Sequence, residues 1–116
     1  MYEIIEKLRE YGADMDGAMA RFLDDVDLYE ACFSSFLSDR AFSMLGEAIA
    51  EKDYKKAFEC AHTLKGTTSN MGLSPLCTVV YSIVDDLRAA NYSSLEASYA
   101  ELTAQLELLK KLQEKQ

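Results

Sequence analysis

The sequence predicts an all-α protein, built as an antiparallel up-down four-helix bundle with short accessory helices at its N-terminus. Helix-breaking residues are few, because the 116 residues include five glycines and one proline. Apolar residues make up 49% of the chain, and Leu, Ala and Met are mixed with Glu and Lys in a helix-forming composition. These apolar residues recur at helical spacing in segments that short turns separate. We expect one domain, covering residues 1–116.

The N-terminal third of the sequence contains short helical segments. A first helix is predicted near residues 2–11, and Asp14 can cap a second. Either Asp25 or Asp27 can cap the next one, so that residues from about 1 to 38 supply the accessory helices and the first helix of the bundle. The apolar stripe of the second segment is Met15, Ala18, Met19 and Phe22.

The remaining bundle helices are predicted between about 40 and 115. After a helix at about 40–52, Asp53 can cap a helix over about 54–71. Ser74 followed by proline predicts the N-cap of the next helix, and the SSLE run at 93–96 has the pattern of a capping box that opens the last one. The last helix has its stripe at Leu95, Tyr99, Leu102, Leu106 and Leu109, a spacing suited to antiparallel packing.

Charge and cysteine content exclude several classes of function. The formal net charge is −8, which repels the phosphates of nucleic acids and the surface of anionic membranes. The N-terminal residues do not resemble a signal peptide and no apolar run is long enough for a membrane span, so we expect a cytoplasmic protein. Cys32, Cys60 and Cys77 form no metal-binding or disulfide pattern, and we interpret them as small buried residues.

The single histidine lies on the outer face of its predicted helix. Six residues form the core-facing stripe of the 54–71 helix, namely Ala57, Cys60, Ala61, Leu64, Thr68 and Met71. At 100° per residue, His62 lies roughly 150° from the centre of that stripe. A lone histidine in a helical domain is more often a structural residue, but this position predicts exposure to solvent.

Three neighbours on the same face suggest what the histidine does. Lys65, Gly66 and Ser69 follow His62 at positions three, four and seven, which share one face of a helix. A glycine inside a helix costs roughly 1 kcal/mol relative to alanine, so its presence on a solvated face suggests that a partner docks there. The neutral form of an imidazole has a lone pair available for nucleophilic attack. With Lys65 to offset phosphoryl charge, these residues form a coherent phosphoryl-acceptor patch.

The same residues carry a resemblance to a known family. The run AHTLKG at 61–66, followed by TTSNMG at 67–72, resembles the A-H-x-L-K-G-x-x-x-x-x-G signature of histidine phosphotransfer (HPt) domains. Weaker similarity extends over nearly the whole chain, including GAD at 12–14 and the stretch 20–29. The resemblance implies a four-helix bundle with accessory N-terminal helices and a phosphohistidine at His62.

The resemblance also implies roles for individual residues and partners. His62 would be the carrier, Lys65 the phosphoryl charge partner and Gly66 the position of docking clearance. From their positions alone, Ser69 and Arg88 are candidates for supporting roles, although an arginine at position 88 is more often a solvated surface residue. The partners would be receiver domains of response regulators or hybrid sensor kinases, and the Mg²⁺ site would belong to the receiver, so that this monomeric protein needs no cofactor. The position that hydrogen-bonds the histidine in some members falls near the apolar Val84. We expect partners to dock on Phe58, Met19 and Phe22, in so far as these stay exposed.

Two other functions compete with phosphotransfer. A helical docking module could use the same surface to bind receiver or kinase domains without phosphotransfer, but the presence of both His62 and Lys65 disfavours it. A metal-binding bundle needs ligands on facing helices, and Glu59 with His62 has the right spacing, but the chain contains no second histidine. No nucleotide-binding motif is present, so the expected protein is a phosphocarrier and not a kinase.

Overall fold

The computed structural model describes residues 3–114, which form seven helices and, in this part of the chain, no strand. The helices are α1 Glu3–Tyr11, α2 Met15–Arg21, α3 Val26–Leu37, α4 Ala41–Ala50, α5 Tyr54–Asn70, α6 Ser74–Arg88 and α7 Leu95–Glu114. The short turns between them agree with the prediction. The expected start of α1 at residue 2 lies outside the described residues.

Helices α4 to α7 form the bundle. Each packs on the next along the chain, and α7 also returns to pack on α4, where the Tyr99 hydroxyl donates to the Phe42 carbonyl at 2.8 Å. Short turns between helices that pack together make neighbours antiparallel. Helices α1 and α3 pack on α7. The all-α bundle with accessory N-terminal helices is therefore confirmed. Its first helix was expected within residues 1–38, but α4 takes that place against α5 and α7, so all four bundle helices lie within 41–114.

Side-chain caps fix where three of the helices begin. Asp14, Asp25 and Asp53 each accept a hydrogen bond from the backbone N–H three residues later, before α2, α3 and α5. Each cap satisfies one of the amide groups that a helix leaves unpaired at its N-terminus. Of the two aspartates that could begin α3, the structure therefore selects Asp25.

Two predicted helix starts are wrong in detail. Leu73 precedes α6, and Ser74 is its first helical residue rather than its cap. The hydroxyl of Ser93 donates to the Asn91 side chain, so it does not form the capping box, and α7 begins at Leu95. In both cases the serine bonds back into the preceding turn, an alternative that Ser side chains commonly adopt.

The cysteines are less buried than expected. Cys60 is buried, whereas Cys32 and Cys77 are partly exposed, and all three thiols are free. Burial raises the pKa of the Cys60 thiol, which lowers its reactivity. The interpretation as a small buried residue therefore holds for Cys60 alone.

The C-terminal end of α5 is anchored by α2 and α3. Arg21 donates from Nε to the Asn70 carbonyl at 3.0 Å and from Nη2 to the Ser69 carbonyl at 2.9 Å. The buried hydroxyl of Tyr29 donates to the Met71 carbonyl at 2.7 Å. These bonds satisfy carbonyls that the helix leaves unpaired, and they hold the two N-terminal helices against α5. Burial raises the pKa of Tyr29 well above its ordinary value, so the hydroxyl remains a donor.

We expect Tyr29→Phe to lower the free energy of unfolding by about 1 to 2 kcal/mol, because it leaves a buried carbonyl without a partner. Urea unfolding measures the change. Tyr92→Phe is the matched control, since Tyr92 is 38% exposed and should change stability by less than about 0.5 kcal/mol. Equal stability of the two variants would contradict the anchoring role of Tyr29.

Candidate functional site

The site lies at the middle of α5, whose 17 residues run from Tyr54 to Asn70. The prediction from helical spacing is confirmed, because His62 is exposed while Ala61, Leu64 and Thr68 are buried. Thr68, a polar residue in the core, donates from its hydroxyl to the Leu64 carbonyl at 2.7 Å. The buried face therefore needs no polar partner from outside α5, and the imidazole is directed away from the bundle.

An aromatic ring packs beside the imidazole. Phe58, half-buried one turn before His62, stacks on it with ring centroids 5.9 Å apart and planes 17° apart. On α6, the guanidinium of Arg88 lies 5.6 Å from the centroid of Phe58. This cation–π contact places a positive charge near the histidine through an intervening ring. Arg88 is thus in contact with the site, although its direct contact is Phe58 and not His62.

Val84 on α6, near the position that hydrogen-bonds the histidine in some Hpt-like sequences, offers no polar group to His62. Val84 is 1% exposed and packs in the core. The following carboxylate, Asp85, is exposed. The described contact of the imidazole is instead the ring of Phe58 on α5 itself, a residue expected from the sequence to take part in partner docking.

Lys65 is also in contact with α6. Its ammonium lies 5.2 Å from the ring centroid of Tyr81, and the Tyr81 hydroxyl is 3.2 Å from the hydroxyl of Ser69. Ser69 also lies 3.2 Å from the Cys77 thiol. The sequence singled out Lys65 and Ser69 but not Tyr81. A tyrosine on the next helix carries no local signal, since its contact depends on how α5 and α6 pack.

Gly66 opens the other side of the site. Apart from its chain neighbours and the nearby backbone of α5, no atom of residues 3–114 lies within 4 Å of a Cβ atom placed on Gly66, so packing against other elements does not require a glycine. Beside it runs a groove of 470 Å³ between α3 and α5, lined by Cys32, Ser35, Phe36, Asp39, Gly66, Thr67, Asn70 and Met71. The geometry agrees with an open approach to His62 from this side.

Met19 and Phe22, predicted as part of the partner surface, are only 9% and 7% exposed. That prediction needs correction: Phe22 packs edge-on against Tyr29 with centroids 5.1 Å apart, and both side chains belong to the core that joins α2 to α3. Phe58 remains half-buried. The apolar side chain that this segment presents to solvent is instead Leu23, which is 87% exposed.

Leu23 owes its exposure to an unusual turn. Both Leu23 and Asp24 have positive φ, 54° and 59°, a left-handed conformation that costs a non-glycine residue about 1 kcal/mol or more. Leu28, on the first turn of α3, is 49% exposed. The sequence does indicate that a turn must fall here, because α2 has to end before Asp25 if Asp25 is to cap α3. The left-handed conformation of the turn could not be predicted from the sequence, because neither Leu23 nor Asp24 is a glycine.

Residues 3–114 contain no group of three His, Cys, Asp or Glu side chains placed to hold a metal ion. Within the same range, no helix combines the length and apolar composition that a membrane span needs.

The described residues thus form a helical bundle that presents one exposed histidine, with a lysine and open space one turn away on the same helix. The sequence matches the Hpt domain family over residues 4–112. The chain therefore belongs to the Hpt domain family, whose members are histidine phosphocarriers of phosphorelays and interact with receiver domains. No curated protein and no solved structure matches this chain.

Proposed function

We propose that this protein carries a phosphoryl group on His62, to or from receiver-domain aspartates in a two-component phosphorelay. The observation that carries the proposal is the exposed imidazole at the middle of α5, with Lys65 and Gly66 on the same face one turn later. The protein acts as a monomer in the cytoplasm. The domain formed by residues 3–114 receives a phosphoryl group that is already activated on its donor.

The transfer step is a displacement at phosphorus. The lone pair of an imidazole nitrogen of His62 attacks the phosphorus of the receiver's aspartyl phosphate. The bond between phosphorus and the aspartyl oxygen breaks, and its electron pair leaves with the carboxylate. The phosphoimidazole then loses the proton of its other ring nitrogen to solvent. Onward transfer to a second receiver reverses these steps with that receiver's carboxylate as nucleophile.

Charge stabilisation is shared between the two partners. Lys65 supplies an ammonium beside the phosphoryl oxygens, and Arg88 adds a second positive charge next to Phe58. These cations matter because the protein as a whole carries a net charge of −8, which disfavours an incoming phosphoryl group. A Mg²⁺ ion held by the receiver would supply the larger part of the stabilisation. Ser69, seven residues after His62 on the same face of α5, supports the site from two turns further along the helix.

The stacked Phe58 holds the imidazole in one orientation. An exposed histidine would otherwise sample several rotamers, and a fixed ring lowers the entropy that the transfer step loses. The ring of Phe58 stacks on one face of the imidazole, and the ring nitrogens, whose lone pairs lie in the plane of the imidazole, stay open to the phosphoryl group.

We propose that the receiver docks along α5 toward the turn between α2 and α3. Asn70, which Arg21 holds next to that turn, lies about 12 Å along the helix axis from His62. An interface that buries roughly 800 Å² on each partner spans this distance. It would cover Gly66, the groove beside it and the exposed Leu23. Leu23 is followed by the acidic residues Asp24, Asp25 and Asp27, whose negative charge favours a receiver surface with basic residues.

We expect Leu23→Asn to weaken receiver binding about fivefold, because the contact loses roughly 1 kcal/mol of apolar burial. Asparagine tolerates the left-handed conformation of this position, so the variant should unfold no more easily than the wild type. Titration with a fluorescently labelled receiver measures the binding constant. Leu108→Asn is the control, since Leu108 is also exposed, at 46%, but lies on α7. Equal binding by Leu23→Asn and the wild type would remove the turn from the interface.

The function is tested with a panel of receiver domains charged by acetyl phosphate. Transfer to this protein should produce phosphate that is labile in acid and stable in base, as expected of phosphohistidine. Receivers that bind without transferring would instead support the docking module considered above. Absence of transfer from every receiver, and from a small-molecule phosphoryl donor, would contradict the proposal.

A further inference from the structure

Tyr81 joins two turns of α5 across the interface with α6. Its ring faces the ammonium of Lys65, 5.2 Å from the centroid, and its hydroxyl lies 3.2 Å from that of Ser69. Tyr81 is 43% exposed, so it is not a core residue that packing alone would account for. Its contacts are with the two polar residues that follow His62 on the outer face of α5.

The contact with Tyr81 restricts the position of the Lys65 side chain. A lysine has a flexible four-carbon stem and samples many rotamers when its ammonium is free in water. The ion pairs among residues 3–114 involve Arg9 and Lys110 and do not include Lys65. A cation over an aromatic ring is attracted by the ring's negative face. Tyr81 is therefore the described contact that limits where the ammonium lies.

The position of this contact gives the site two different sides. At 100° per residue, Phe58, Lys65 and Ser69 lie on one side of His62 and Gly66 on the other. The first side faces α6, where Arg88 and Tyr81 contact it. Gly66 faces the groove beside α3. Positive charge is thus concentrated on the α6 side, and the space for a partner is on the α3 side.

We propose that Tyr81 is a positioning residue for phosphotransfer, which holds the ammonium of Lys65 on the α6 side of His62, where it meets the phosphoryl oxygens. This inference rests on the proposed function. Without the ring, the ammonium spends less time beside the phosphoryl group, and less charge is offset in the transition state. Cation–π contacts of exposed residues have energies that correspond to about a two- to fivefold change in rate.

The test separates charge positioning from receiver docking by using phosphoramidate as the phosphoryl donor, in addition to a phosphorylated receiver. Phosphoramidate transfers its phosphoryl group to the imidazole and releases ammonia, so no docking surface is needed. Tyr81→Leu should slow phosphorylation from both donors about two- to fivefold. Tyr81→Phe keeps the ring and should remain within about twofold of the wild type, because it loses only the bond to Ser69.

The decisive comparison is made in the Lys65→Ala background. If Tyr81 acts through Lys65, Tyr81→Leu should have no further effect there, which a double-mutant cycle measures as full coupling. An equal slowing in both backgrounds, or no slowing in either, would overturn the inference. Tyr92→Leu is the control, since Tyr92 is an exposed tyrosine that stacks on Tyr54 away from Lys65.

A spectroscopic measurement tests the contact without any phosphotransfer. In NMR spectra, the methylene protons next to the Lys65 ammonium should show an upfield ring-current shift that Tyr81→Leu removes and Tyr81→Phe retains. Absence of that shift in the wild type would overturn the inference and leave the proposed function intact. Failure of wild-type protein to accept phosphate from either donor would instead overturn the proposed function, and the inference with it.

Discussion

His62→Gln is expected to abolish phosphoryl acceptance completely while leaving the fold intact. The imidazole supplies the nucleophile, and the amide of glutamine has no comparable lone pair on nitrogen. Glutamine is a good helix former, and His62 is exposed, so the free energy of unfolding should change by less than about 0.5 kcal/mol. Single-turnover transfer from a phosphorylated receiver and urea unfolding measure the two quantities.

Receiver binding by the same variant provides the control. Because docking depends on the surface around the histidine, His62→Gln should bind a receiver with an affinity close to that of the wild type. Loss of binding together with loss of transfer would mean that the substitution disturbed the surface. Phosphorylation of His62→Gln at the normal rate would place the phosphoryl group on another residue.

Gly66→Glu is expected to slow transfer from a receiver at least tenfold without lowering the melting temperature. The open space at Gly66 accommodates a side chain in the isolated protein, and glutamate forms helices better than glycine by roughly 0.5 to 1 kcal/mol. In the complex, that side chain would occupy the docking gap and repel the phosphoryl group. A loss of 1.36 kcal/mol in the transition state already gives the tenfold effect.

Gly66→Ala separates these two causes. Alanine adds one methyl group and no charge, so it should stabilise the helix by up to about 1 kcal/mol and slow transfer less than glutamate does. With phosphoramidate as donor, Gly66→Glu should slow transfer only through the negative charge of the glutamate. Steric exclusion should not contribute, because this small donor needs little space. A normal transfer rate for Gly66→Glu would show that the glycine has no clearance role.

The sequence was sufficient to predict the bundle and the outer face of α5. Both depend on local rules, because helical periodicity determines which residues are buried, and aspartates at the expected positions cap three helices. His62 could be identified as exposed for the same reason. Its neighbours Lys65 and Gly66 followed from spacing along a single helix.

The rest of the site depends on contacts between helices, which periodicity does not determine. The contacts of Tyr81 with Lys65 and of Arg88 with Phe58 require the relative positions of α5 and α6. Met19 and Phe22 were expected to be exposed in part, yet both pack against their own neighbours. The apolar residue presented instead, Leu23, depends on a left-handed turn for which the sequence contains no glycine.

The anchoring of α5 at both ends has a consequence for how a phosphorylated carrier leaves its donor. Asp53 caps the first turn, and Arg21 and Tyr29 hold the last carbonyls, so the helix has little freedom to change shape when His62 is modified. On the proposed function, the phosphoryl group brings up to about two negative charges to a protein that already carries −8, while the donor loses the same charge. This transfer of charge does not by itself separate the two partners, so an acceptor replaces the donor according to their relative affinities and concentrations.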